Sequence, residues 1–156
     1  VTRPVVYDNL GSREGAFLAC VQRARDSHER RLLENIDPDS HPRDQLVAGS
    51  RAFFGMLQEH PGRWKLLFGG DAGLPADATQ QIMALRFATI EQIRLVLVAA
   101  APNSDPERLE AAAHVAYGAA EGLGFWWLSR PEVTLDAVVE HCTEVLWRGL
   151  APYTEE

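Results

Sequence analysis

Apolar residues recur along this chain at steps of three and four, and nowhere in sustained alternation, which predicts helices and no strands. From Arg13 to about Ile36, the residues Phe17, Val21, Ala24, His28 and Leu32 share one helical face, with Arg23, Arg30 and Glu34 off it. The run Asp37-Pro38-Asp39-Ser40-His41-Pro42 ends this helix, because each proline lacks a donor and pushes the residue before it toward extended backbone. A second helix is predicted from about Arg43 to His60, with Leu46, Ser50, Phe53, Phe54 and Leu57 inward and Pro61-Gly62 as its break. Arg63-Trp64-Lys65-Leu66-Leu67-Phe68 reads as a short helix closed by Gly69-Gly70.

The segment from about Ala76 to Ala101 is apolar nearly all round, so it must be covered on most sides; Arg86, Glu91 and Arg94 are its few charges. Arg94 needs a carboxylate partner or solvent. After Pro102-Asn103-Ser104, Asp105 is placed to cap a helix with Pro106 at its first position. That helix, to about Ser129, carries two stripes. Ala112, Ala116, Ala119, Leu123 and Trp126 or Trp127 lie along one, and Glu110, His114, Tyr117, Glu121 and Phe125 along the other. Thr134 can cap the last helix, whose apolar side is Leu135, Val138, Val139, Cys142, Val145, Leu146 and Leu150, with Gly149 and Pro152 expected to end it. The expectation is an all-α chain of about seven helices without internal repeats.

The opening Val1–Glu14 reads as a short helix capped by Thr2 with Pro4 early, a Gly11-Ser12 joint, and the capped start of the long helix. Val5, Val6 and Leu10 give the short piece an apolar side with nothing before it to dock on, so the chain is expected to begin inside a small helical domain. The residues Val1-Thr2-Arg3, Val6-Tyr7, Leu10 and Ser12-Arg13-Glu14 resemble the end of the DNA-binding domain of TetR-family transcriptional regulators. Leu10 stands where that family usually has Phe, and Asn9 where His or Tyr is common. The resemblance implies that residues 1–11 are the remnant of a helix-turn-helix and residues 12–156 a ligand-binding and dimerisation domain. It also implies that Thr2, Arg3 and Pro4 lie near base edges or phosphates, that Tyr7 bonds a phosphate, and that Arg13 contacts the DNA backbone. A helix N-terminus with arginine and hydroxyl groups suits phosphate.

Composition changes this picture little. The 156 residues carry a net charge of −7, which argues against nucleic-acid binding by the body of the chain, while the segment before Leu32 is mildly basic. No apolar run is long enough for a membrane span. Cys20 and Cys142 fall in amphipathic patterns and are expected to be small buried residues in a reducing cytoplasm, without a disulfide or metal.

Catalytic signatures are absent. No two histidines stand at His-x-x-x-His spacing, and there is no Glu-x-x-His, Cys-x-x-Cys or Gly-x-Ser-x-Gly. The glycine-rich loop from Gly69 lacks the Gly-Lys-Ser/Thr of a phosphate loop. No enzyme, cofactor or metal is expected. His114, Tyr117 and Glu121 share a helical face. Either they form an exposed polar face or a satisfied internal pair, or they converge on a cavity walled by Phe54, Leu57, Trp64, Leu67, Phe68, Phe87 and Ile90. The resemblance implies a ligand site in such a place. It also implies a homodimer through the last two long helices, with Ala112, Ala116, Ala119, Leu123 and Trp127 on one and Val138, Cys142, Val145 and Leu146 on the other. The alternative is that both stripes face the chain's own core. The functional expectation is a repressor that leaves a double-stranded operator when a small, largely apolar effector binds. The competing expectation is a helical small-molecule-binding or scaffolding protein with no role on DNA.

Overall fold

A computed structural model of the chain describes residues 13–62 and 76–154. Among these, five long helices and no strand are present: α1 Arg13–Asn35, α2 Pro42–Glu59, α3 Ala76–Ala100, α4 Pro106–Leu128 and α5 Leu135–Thr154. The first four bounds fall within a residue or two of those read from the sequence. The break expected at Pro61-Gly62 falls at His60 instead, and Pro61 and Gly62 are helical; the expected short helix Arg63–Phe68, the Gly69–Pro75 loop and residues 1–12 lie outside the described residues.

The caps explain why the helices start where they do. Pro42 and Pro106 occupy first-turn positions, where a missing N–H leaves nothing unsatisfied. Asp105 Oδ1 accepts from the Glu107 N–H at 3.1 Å, and Thr134 Oγ1 accepts from the Ala137 N–H at 3.2 Å. At α2 the cap is His41, whose Nδ1 accepts from the Arg43 N–H at 3.2 Å. The α1–α2 turn is tied by Gln45, whose Nε2 donates to the Pro38 and Ser40 carbonyls at 3.0 and 2.9 Å. One expected ending does not occur. Gly149 and Pro152 do not stop α5, which continues to Thr154. A proline in a last turn removes a single intrahelical bond, and Gly149 does not adopt the left-handed backbone that closes a helix.

The most extensive helix pairing is α2 on α5, followed by α3 on α4. Helices α2 and α5 run antiparallel: His41 stacks near Trp147 with ring centroids 5.4 Å apart, and Arg51 reaches Asp136 at 2.7 Å. Between them lies the main core of Phe54, Leu57, Val138, Val139, Cys142 and Leu146, closed from α4 by Ala116 and Trp127. Fully burying Phe54, Leu57 and Val138 contributes about 1.5–3 kcal/mol each before chain entropy is counted. Phe54 meets Trp127 edge-on at 5.8 Å, and the Trp127 indole N–H donates to the Val133 carbonyl at 2.8 Å, fastening the α4–α5 turn. On the second pair, Ala113 of α4 is fully covered beside Leu109, and Ile82 of α3 is buried. Helix α1 packs on α2 and, less extensively, on α3.

Candidate functional site

The α3–α4 pair is mostly apolar, and one polar group from each helix meets within it. Arg86 of α3 donates from Nη2 to Glu121 Oε1 of α4 at 3.0 Å, with 33% and 19% of the two side chains exposed. Tyr117 lies one turn before Glu121 and hydrogen-bonds to it. Burial first, and the Glu121 charge second, push the Tyr117 phenol well above its ordinary range. The result is a half-buried Arg–Glu–Tyr cluster whose phenol stays neutral. Such a cluster can orient a ligand's polar end while apolar walls hold the remainder.

Of the series expected to converge, Tyr117 and Glu121 do meet, whereas His114 is exposed one turn earlier. Arg86 was not foreseen as their partner. The signal was one of the few charges in a mostly apolar helix, but which helix would face it is a tertiary matter. Two expected wall residues are corrected. Phe54 and Leu57 keep 0% and 1% of their surface, so no water-sized space adjoins them; they are core, not cavity lining. Ile90 is half-buried, and Phe87 is 56% exposed. Trp64, Leu67 and Phe68 lie outside the described residues.

Five residues of the expected dimer stripe, Ala116, Trp127, Val138, Cys142 and Leu146, are covered largely within the chain itself, at 7% exposure or less. Ala112, Ala119 and Leu123 are half-buried. The reason is that α2 takes up the apolar stripe of α5 and α4 seals it. Of the expected set only Val145 stands out, at 70% exposure. The surface actually left apolar on these helices comprises Val115, Phe125, Trp126 and Val145. On α4, Val115, Gly118, Gly122 and Trp126 follow at steps of three and four. A Cβ added at Gly118 or Gly122 would meet nothing within 4 Å. Trp126 joins this surface to α5 through His141, with centroids 6.5 Å apart, and the Arg130 guanidinium lies 5.8 Å from its ring centroid. Exposed glycines inside a helix were the overlooked signal, because they weaken it unless close approach is needed.

Among the remaining expected residues, Thr2, Arg3, Pro4 and Tyr7 lie outside the described residues, and Arg13 is the first residue of α1. Arg94 has its carboxylate: Nε and Nη2 each donate to Glu91 at 2.7 Å. The cysteines differ from expectation in one case. Cys142 is buried, but Cys20 is exposed on α1. Burial raises the Cys142 thiol above its ordinary range, against a smaller opposing effect of its bond with Ser50. No group of three or more metal-ligating side chains occurs among the described residues, nor is any described helix long and apolar enough to cross a membrane.

Comparison with known proteins agrees with the all-α fold. The chain is 24% identical over 152 residues to the HTH-type transcriptional activator FasR of Mycolicibacterium smegmatis, covering 97% of this chain and 69% of that protein. Its structure resembles that of a TetR-like transcriptional regulator from Rhodococcus sp. RHA1, with a TM-score of 0.75 and 26% identity, over 97% of this chain and 79% of the other. The family model described as tetracyclin repressor-like, C-terminal domain matches residues 44–150, well over half of the sequence. The chain therefore belongs to the TetR family of transcriptional regulators, and residues 44–150 are its tetracyclin repressor-like C-terminal domain.

Proposed function

We propose that this chain is the sensing and dimerising part of a ligand-responsive, DNA-binding repressor. The observation that carries the ligand half is the Arg86–Glu121–Tyr117 cluster, a polar anchor set between two mostly apolar helices. A small, largely apolar effector with one polar end would place that end against the cluster. Residues 1–11 would be the end of a helix-turn-helix, with Thr2, Arg3, Pro4, Tyr7 and Arg13 toward the DNA. Helix α1 follows directly and packs on α3, the helix that bears Arg86. An effector that shifts α3 would swing α1 about the turn held by Gln45 and change the separation of two recognition elements, which must match about one DNA turn. Effector and operator would then weaken each other's binding by the same factor.

Two copies would pair through Val115, Gly118, Gly122 and Trp126 of α4 and Val145 of α5, related by a two-fold axis. The protein would work in the cytoplasm. A thermal-shift screen of small apolar molecules tests the sensing role, since a ligand of the native state raises Tm by mass action. A hit whose shift persists unchanged in Glu121→Gln and Arg86→Met would remove the cluster from the site. Sequence selection on DNA, with the coding sequence read upstream of Val1, tests the reader; a protein that selects no operator sinks the regulator reading. A second reading, activation, is favoured by the name of the FasR relative. A reporter gene behind the selected operator separates the two by the sign of its response.

A further inference from the structure

The Arg86–Glu121–Tyr117 cluster restricts the kind of polar end it can hold. At neutral pH its charges cancel, one guanidinium against one carboxylate, with a neutral phenol beside them. Burial and the Glu121 charge both act against an anionic phenol, and the opposing pull of Arg86 is weaker than either. The phenol thus experiences what an acid group placed next to it would meet: little water, and the field of Glu121 ahead of that of Arg86.

A ligand carboxylate would set a second anion beside Glu121 against a single guanidinium. A ligand ammonium would set a second cation beside Arg86 and compete with it for the same carboxylate. Either leaves a half-buried site with a net charge, whereas an uncharged polar group costs far less to take out of water. The cluster can offer such a group both kinds of hydrogen bond. A guanidinium is a planar fork of donors that can serve more than one acceptor, and a phenol that donates to Glu121 keeps its oxygen as an acceptor. Met83 and Ile90 lie one turn to either side of Arg86, and Phe125 one turn beyond Glu121. Met83 and Phe125 are 42% and 39% exposed, which leaves apolar surface next to the cluster for a carbon chain. Taking the cluster as the effector's anchor, we propose that the effector's polar end is an uncharged group that both donates and accepts, a hydroxyl or a primary amide, and that carboxylates and amines are rejected there.

Calorimetric titration of the full chain at neutral pH with octanamide, octanoate and octylammonium tests this. Octanamide is expected to bind about tenfold or more tightly than either ion. Glu121→Gln removes the negative charge and leaves Arg86 uncompensated, so it should bind octanoate about tenfold more tightly than the parent chain does. Tyr117→Phe takes away the acceptor and should weaken octanamide about fivefold, the ordinary effect of one lost hydrogen bond, without admitting octanoate. The three-probe comparison on the parent chain does not depend on any variant folding. If octanoate or octylammonium binds the parent as tightly as octanamide, head-group selection is overturned and the sensing role stands. The same holds if Glu121→Gln still rejects octanoate, or if Tyr117→Phe binds octanamide unchanged. If none of the three binds the parent, the cluster is no anchor, and the sensing role falls together with head-group selection.

Discussion

At the scale of single residues, burial separates the side chains that hold the fold from those free to act. Phe54 is fully covered and edge-on to Trp127. Phe54→Ala is expected to destabilise the chain by about 3–5 kcal/mol, read as a lower urea midpoint, because the space cannot collapse from three helices at once. Ionisation gives a second expectation. Cys142 and Tyr117 both have their pKa raised, chiefly by burial. For a group raised in this way, native and unfolded states bind equal protons below the unfolded pKa, and stability falls as pH rises above it. Stability should therefore decline from about pH 9, where an unfolded thiol ionises, and again above about pH 10 from the phenol. Urea denaturation between pH 7 and 11 should show the first loss missing in Cys142→Ala. In Glu121→Gln, ultraviolet titration of the phenols should show Tyr117 ionising at lower pH than before, though still above an ordinary tyrosine, since burial is the larger cause. These residue properties were partly legible in the sequence. The shared face of Tyr117 and Glu121 follows from spacing alone, but Arg86 stands 35 positions before Glu121, and no periodicity links them.

At the scale of elements, the helices were read almost to the residue because their signals are local. Asp105 with Pro106, Thr134, and the prolines at 38 and 42 act through bonds within four residues. Asp105→Ala is expected to cost about 1 kcal/mol by unmaking the α4 cap, with no change in the m-value of urea unfolding. The His41 cap of α2 is less usual, and asparagine or aspartate serves that position better. His41→Asn should therefore keep the cap, and the loss of its ring contact with Trp147 should appear as a change in tryptophan fluorescence. The end of α5 was misread for a related reason. Gly149 and Pro152 signal a stop locally, but most of the free energy of a short helix comes from tertiary packing, and α5 is the helix most extensively packed on α2.

At the scale of the whole molecule, the question is which apolar surface is left over. Five of the nine residues expected at a dimer interface are used inside the chain, and the remaining apolar strip is Val115, Trp126 and Val145 beside Gly118 and Gly122. Val145→Glu places a charge where the chain itself is open to solvent, so its Tm at low concentration should hardly move. On the proposed pairing, sedimentation velocity should show the parent chain as a dimer at concentrations where the variant is a monomer. An unchanged sedimentation coefficient would place the partner elsewhere, and Cys142→Ser serves as a control that should alter stability rather than assembly.

The sequence by itself determined the helical class, the starts of its helices, their breaks and the family to which the opening motif pointed. All of these rest on interactions between residues a few positions apart, or on short motifs. Only the tertiary structure decided which of two apolar stripes turned inward, which wall residues were core, and that Arg86 met Glu121. A helix that is apolar on two sides carries no internal mark of which side its neighbour will cover. That choice is made by the packing of α2, α4 and α5 together, because the stripe that buries most surface with fewest voids lies inward and its rival is left for a ligand or a second copy.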